Sequence, residues 1–522
     1  MQARNWIAVP LILLFFWLAV SSMVDDSPTM DEQNHIARGI ALLRTGDPRL
    51  SLEHPPLVNG LSALPLLTLD NLKLPTDHPS WSQTDGWYEF ARLFLWEYND
   101  DVTRIVFLAR LPIVFIMLGL GVIGYRFARE MWGEKGRGAR GKVGISAGLL
   151  TLFLLLFDPN LLAHGRYATT DLGGTTFLLL AIYLLWRMWQ LETWFWSRFL
   201  AAAIGMGLAF SAKLSTLSFV PILALMAVLP LYPAQWTWRS AARRLGQLIL
   251  AGMLSIGVIW ALFAFQWGSF GFEADGPLAF LNTVSGPMPT FWAGVERILL
   301  TSETGRMSFL FGRFSDNGFR IYFPLAFLVK TPLTILILIT MSAILLLIGK
   351  STRKRALFLL LPALLYFLLS IQSGLNIGYR HLFPMLPLLY VLVGGLALFI
   401  APRTATQRRV LRPLVVGLCG LLLLTTLWIY PHFISYFNLA AGGPRNGYHL
   451  LVDSNVDWGQ DLVRLQDWMT NNDVERVNLS YFGSADPKYL NLNYQPLPGE
   501  PLHRDLWWAV PFDRTNPEPG IY

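Results

Sequence analysis

The sequence predicts an all-α polytopic membrane protein: a bundle of about eleven transmembrane helices, a large first external loop and a small external α/β C-terminal appendage. Three observations carry this. The 522-residue chain is 53% hydrophobic and 14% charged, well below the roughly 25% charge of a soluble domain. Apolar runs of spanning length recur along it. Its short loops carry Lys and Arg almost entirely on one side.

The runs lie near 7–24, 105–124, 143–163, 172–189, 199–211, 214–232, 245–267, 321–349, 356–371, 382–401 and 413–430. The run at 199–211 is the shortest, and Lys213 separates it from the next. With the N-terminus inside, the short inner segments hold twenty Lys/Arg and the short outer ones three, the asymmetry the positive-inside rule demands. Arg4 and the long run behind it read as a retained signal-anchor, since a cleavable signal has a shorter apolar core and an A-x-A site. Three large segments then fall outside: about 25–104, about 268–320 and the tail. The expected division is a membrane catalytic domain over 1–432 and an extracytoplasmic region over 433–522. Within the tail, 459–471 reads as a helix and 473–482 as a short strand. The sequence closes on Pro519-Gly520-Ile521-Tyr522 without a further predicted element. Neither internal repeats nor interrupted helices are evident.

The formal net charge of +7 fits loop topology signals, and with no basic stripe or RNA-binding motif a nucleic-acid partner is not expected. Cys419 stands alone, so no intramolecular disulfide forms. Two motif matches fail on context. Gly119-Leu120-Gly121-Val122-Ile123-Gly124 satisfies GxGxxG inside an apolar helix with no preceding strand, and reads as a small-residue packing face. Asp453-Ser454-Asn455-Val456-Asp457 opens like a calcium loop, but Trp458 and Arg464 stand where Gly and Glu are required.

Ionisable groups at membrane depth point to function. Directly after the first run come Asp31, Glu32 and His35. Thr29-x-x-Glu32 is a capping box on one reading, and a carboxylate acting as general base, with His35 one turn away, on the other. Glu53 and His54 precede two prolines that fix a rigid, extended path. Asp171 opens the fourth helix, behind Arg166. Lys213, Lys330 and the Arg380-His381 pair gather at the same membrane surface, where they suit either lipid headgroups or a phosphate. Asp31, Glu53, His54 and Asp171 are the candidate ligands for one divalent metal ion.

The stretches MDEQNHIARGIALL, LEHPPL, LLAHGRYATTDLG, YFPLAFLVKTPL, LNIGYRHLFPMLP and YFNLAAGGPRNGYHLLVDSNVDWGQDL, in this order, resemble the GT-C membrane glycosyltransferases. They look most like glycosyltransferase family 39, the protein O-mannosyltransferases and their bacterial relatives, including the aminoarabinose transferase acting on lipid A. The resemblance runs from about residue 25 to 470. It implies a GT-C-like bundle in a bacterial plasma membrane, facing the non-cytoplasmic side. It also implies transfer of a sugar from a polyprenyl-phosphate donor to an acceptor hydroxyl on a lipid, glycan or protein, with inversion at C1. No MIR-type domain is present, which weighs against a protein acceptor. In this picture Asp31 takes the hydroxyl proton, while Glu32 and Asp171 orient substrate and stabilise positive character at C1. Arg380, Lys213, Lys330 and Arg166 neutralise the departing phosphate, and His35, Glu53, His54 and His381 complete the pocket. The alternative is a transporter or lipid flippase binding a polar or anionic solute with the same charges.

Overall fold

The computed structural model describes residues 5–497, apart from 84, 134–138, 192, 233–234, 277 and 401–404. Arg4 and the closing stretch 519–522 lie outside the described residues.

Helix α1 (Ala8–Met23) is followed in the first loop by α2 (Glu32–Thr45), α3 (Pro56–Ala63) and α4 (Trp87–Trp96). The bundle continues with α5 (Val102–Trp132), α6 (Ala139–Phe157), the short α7 (Pro159–His164) and α8 (Asp171–Trp189). Next come α9 (Trp196–Ala212), α10 (Phe219–Val228) and α11 (Trp238–Leu262). The second long loop carries α12 (Pro289–Thr304) between two short antiparallel ladders, β1 (Trp267–Ser269) with β2 (Ser285–Pro287) and β3 (Ser308–Leu310) with β4 (Arg313–Ser315). Helices α13 (Tyr322–Lys330), α14 (Leu333–Ile348), α15 (Arg353–Gln372), α16 (Leu386–Gly394), α17 (Ala397–Ile400) and α18 (Ala405–Ile429) complete the bundle. In the tail, α19 (Leu462–Asn471) precedes a parallel pair, β5 (Val477–Leu479) and β6 (Tyr494–Pro496), with Val477 opposite Tyr494.

Each apolar run is mainly helical over its described residues. Six helices are long and apolar enough to cross a membrane by length and composition, or seven when α13 and α14 count as one bent span. The remaining runs form α1, α6, α9 and the 214–228 stretch, which are apolar but shorter. Helix bending corrects one expectation, that of uninterrupted spans. The axes of α13 and α14 meet at 106°, because Thr331 is extended (ψ 130°) ahead of Pro332, the conformation a following proline imposes. The Gly119–Gly124 stretch is a packing face: a Cβ on Gly121 or Gly124 would collide with Leu152, Leu155 or Leu156 of α6.

Beneath the first loop lies a frame of buried charge. Glu32 is fully buried and chelated by Arg110 of α5, Nε to Oε1 at 2.8 Å and Nη2 to Oε2 at 2.7 Å. It also accepts from the amides of Thr29 and Ala168, both at 2.8 Å. Asp26 joins three segments: Arg166 at 2.5 Å, the Tyr167 hydroxyl at 2.6 Å and Arg464 of α19 at 2.5 Å. The tail pairs directly with the first loop, Ser27 N to Gln460 O at 3.0 Å and Met30 N to Trp458 O at 2.9 Å. The tail is therefore seated on the loop that follows α1.

Because a buried ion pair that loses one partner leaves an uncompensated charge, Asp26→Ala should destabilise the protein by about 3–5 kcal/mol. Thermal unfolding in detergent, with limited proteolysis of the tail, would show a lowered midpoint and early cleavage near 456–461. An unchanged midpoint and a protected tail would mean that Asp26 does not hold these segments together.

Candidate active site

A cavity of about 1180 Å³ opens where the first loop, the second loop and the tail meet the ends of α8, α9 and α15. Asp31 is the residue before α2, and Asp171 is the first residue of α8. Both positions favour an anion, because unpaired amides and the helix dipole lie at that end. Arg380, in the 3-10 turn leading into α16, reaches both carboxylates: Nη1 lies 3.0 Å from Asp31 Oδ2 and 3.7 Å from Asp171 Oδ2. Lys213, at the C-terminal end of α9, forms an ion pair with the other oxygen of Asp171. Two carboxylates and two cations thus make a locally neutral cluster. Asp31 is 36% exposed against 5% for Asp171, so Asp31 is the carboxylate open to a ligand.

The guanidinium of Arg380 stacks on Trp458 of the tail at 4.1 Å. The chain around Trp458 is fixed by Asn455, whose Oδ1 accepts from Tyr379 N at 2.9 Å and whose Nδ2 donates to Tyr322 OH at 3.0 Å. Lys330 contributes to this anchorage by donating to Ile434 O at 2.8 Å and Asn455 O at 2.7 Å. Asp453 and Asp457 then face the cavity. Burial lifts Asp453 to about 6 against the opposing pull of Arg380, and its backbone adopts φ 62°, a conformation that Asn tolerates.

His35 and His54 line the opposite wall with rings 4.6 Å apart. Burial lowers His35 to about 4, with Arg38 adding to the shift, and holds His54 well below the usual range, with His35 adding to it. Both rings are therefore neutral near pH 7. His35 Nδ1 pairs with Asn59 Oδ1 at 3.0 Å and His54 Nδ1 with Thr170 Oγ1 at 3.2 Å. Glu53 faces Arg297 of α12 at 3.1 Å, and His381 lines the same cavity.

Of the residues singled out in the sequence, Asp31, His35, Glu53, His54, Asp171, Lys213, Arg380 and His381 thus meet at one cavity. Glu32, Arg166 and Lys330 lie behind it: Glu32 and Arg166 are ion-paired within the frame, and Lys330 donates to the tail backbone. Among the described residues no three His, Cys, Asp or Glu side chains come together as metal ligands. The set Asp31, Glu53, His54 and Asp171 does not converge, and each of its carboxylates already faces a cation. Sequence reasoning missed Arg38, which stands seven residues after Asp31 on α2. Helical periodicity puts i and i+7 on one face, and that spacing was the available signal. Arg297 and Arg306 come from the second loop, where no local pattern marks them.

Against known proteins, residues 101–273 match the family model "Dolichyl-phosphate-mannose-protein mannosyltransferase". No curated protein matches the sequence significantly. Among solved structures, the chain is similar to ArnT from Cupriavidus metallidurans bound to undecaprenyl phosphate: TM-score 0.50 and 13% identity, over 91% of this chain and 74% of that one. The apo form of the same protein aligns with TM-score 0.48 and 16% identity, over 83% and 70% of the two chains. The fold is GT-C-like, and the chain is an integral membrane protein.

Two outcomes follow from this geometry. Glu32→Gln should lower the thermal midpoint, because it removes the carboxylate that neutralises the buried Arg110 guanidinium. An unchanged midpoint would argue against the frame. For Asp453 the folded-state pKa lies above the unfolded one, so its contribution to stability falls as pH rises from about 4 to about 6. Asp453→Asn should flatten that part of the stability–pH curve, and an unaltered slope would show that Asp453 is ordinarily ionised.

Proposed function

We propose that this protein is an inverting glycosyltransferase that moves a sugar from a polyprenyl-phosphate donor to an acceptor hydroxyl on the non-cytoplasmic side of a bacterial plasma membrane. The observation that carries the reading is the exposed Asp31 carboxylate, held by Arg380 beside the buried Asp171 at the head of a large cavity. The family match over 101–273 and the GT-C-like fold shared with a structure bound to undecaprenyl phosphate support the donor class.

In this reading the acceptor oxygen attacks C1 while Asp31 takes its proton, and the bond from C1 to the phosphate oxygen breaks with its electron pair on the phosphate. Asp171 faces the positive character that develops at C1. Lys213 and Arg380 supply positive charge on the departing side, and fixed charges in a water-poor site stabilise such a transition state without reorganisation. The neutral His35 and His54 add polar contacts without competing for the phosphate. Exposed apolar residues of α10 and α15, Pro221 and Leu369, extend the cavity lining toward the lipid face, a path suited to the prenyl chain. Sidedness rests on the Lys/Arg asymmetry of the short loops. The tail covers the reacting centre through Trp458 and Asp453.

The test uses purified full-length protein in lipid, a panel of polyprenyl-phosphate sugars, added lipid, glycan and protein acceptors, and mass spectrometry of the released polyprenyl phosphate. Wild type should consume one donor, and Asp31→Asn should slow it by roughly 10²–10⁴, the usual worth of a general base. Equal turnover by a folded Asp31→Asn protein, or no turnover of any donor, would remove the proposal.

A further inference from the structure

The cation that stands out in the cavity wall is Arg38. It is 3% exposed and lies 4.4 Å over the face of Trp87. Its Nε and Nη2 have no hydrogen-bond partner, and no carboxylate among the described residues lies within ion-pair distance of it. This is unlike its neighbours. Arg297 is ion-paired with Glu53 at 3.1 Å and Asp85 at 2.7 Å, Lys213 with Asp171, and Arg380 with Asp31, although Arg380 Nε also lacks a hydrogen-bond partner. A buried guanidinium left with unmet donors loses hydration without replacement, which an anionic ligand would restore through paired N–H donors in a fixed fork. Asn34, one turn earlier on the same face, also presents an unpartnered Oδ1.

Asp31, Asn34, His35 and Arg38 all line the cavity, at the i, i+3, i+4 and i+7 spacing of a single helical face. From Asp31 to Arg38 that face runs roughly 10 Å, two turns of helix. Lys213 and Arg380, assigned to the donor phosphate in the proposed reaction, are paired with Asp171 and Asp31, which leaves Arg38 as the cation of this wall without a carboxylate partner among the described residues.

We propose that α2 is the acceptor subsite and that Arg38 binds an anionic group, a phosphate or carboxylate, carried by the acceptor about 10 Å from the hydroxyl that reacts. Asn34 accepts a hydrogen bond from a hydroxyl between the two ends. The inference rests on the transferase reading, which makes Asp31 the base, and it assigns the acceptor class that the reading leaves open: a polyhydroxylated molecule bearing a negative charge.

The test measures equilibrium binding of two probes, trehalose 6-phosphate and trehalose, to the full-length protein in lipid nanodiscs without donor. Wild type should prefer the phosphorylated sugar by about tenfold or more. Arg38→Gln should bind both equally, and Arg38→Lys, which keeps the charge but loses the fork, should retain part of the preference. Absence of a preference in wild type, including failure to bind either sugar, would overturn the inference, as would a preference that survives Arg38→Gln. Undecaprenyl phosphate serves as a third probe. If Arg38→Gln weakens its binding and leaves the trehalose 6-phosphate preference intact, Arg38 serves the donor and the acceptor assignment falls. Donor turnover by wild type, assayed separately, reports on the transferase reading, so the two failures are told apart.

Discussion

One guanidinium, that of Arg380, holds two carboxylates brought from distant parts of the chain, Asp31 after the first helix and Asp171 at the start of the fourth predicted span. Burying an unpaired charge is costly, so the position of Arg380 governs where both acids sit. Arg380 is in turn fixed by stacking on Trp458, which is held by a segment tied to Tyr379, Tyr322 and Lys330. The C-terminal region is thereby part of the site rather than an ornament beside it. Its Trp458 supplies the surface against which the central cation is oriented.

A second layer of charge makes that arrangement rigid. Glu32 with Arg110, and Asp26 with Arg166 and Arg464, lock the first loop to α5, to the stretch before α8 and to the tail. These pairs are buried and many-sided, and their role is to fix geometry. Asp31 and Glu32 are adjacent in sequence yet differ in this respect. Asp31 faces the cavity with one cation partner, while Glu32 turns into the protein and exhausts both oxygens.

That contrast defines what could be read from the sequence. Helix positions were legible because the bilayer sets a length that an apolar run must meet. In the tail, the expected helix forms at Leu462–Asn471, while only Val477–Leu479 of the expected 473–482 strand is extended. The clustering of Asp31, Asp171, Lys213 and Arg380 followed from topology alone. Glu32, Arg166 and Lys330 resembled them in sequence, as charged residues near the same surface. Whether such a residue faces a cavity or a buried partner depends on contacts with chain dozens to hundreds of residues away, such as Arg110 for Glu32 and Asn455 for Lys330. No local pattern carries that information. The break at Thr331-Pro332 was local and could have been seen, since a proline inside an apolar run marks a probable bend. Arg38 was likewise within reach of helical periodicity, whereas Arg297 became visible only once the second loop was placed against the first.

In the proposed reaction Asp31 activates the acceptor and does not itself attack the sugar. Determining the anomeric configuration of the transferred sugar by NMR, from a donor of defined anomer, tests this most directly. A base at Asp31 with the phosphate leaving from the far side predicts inversion at C1 in a single displacement. Retention of configuration, with a glycosyl group trapped on Asp31 or Asp171, would contradict it.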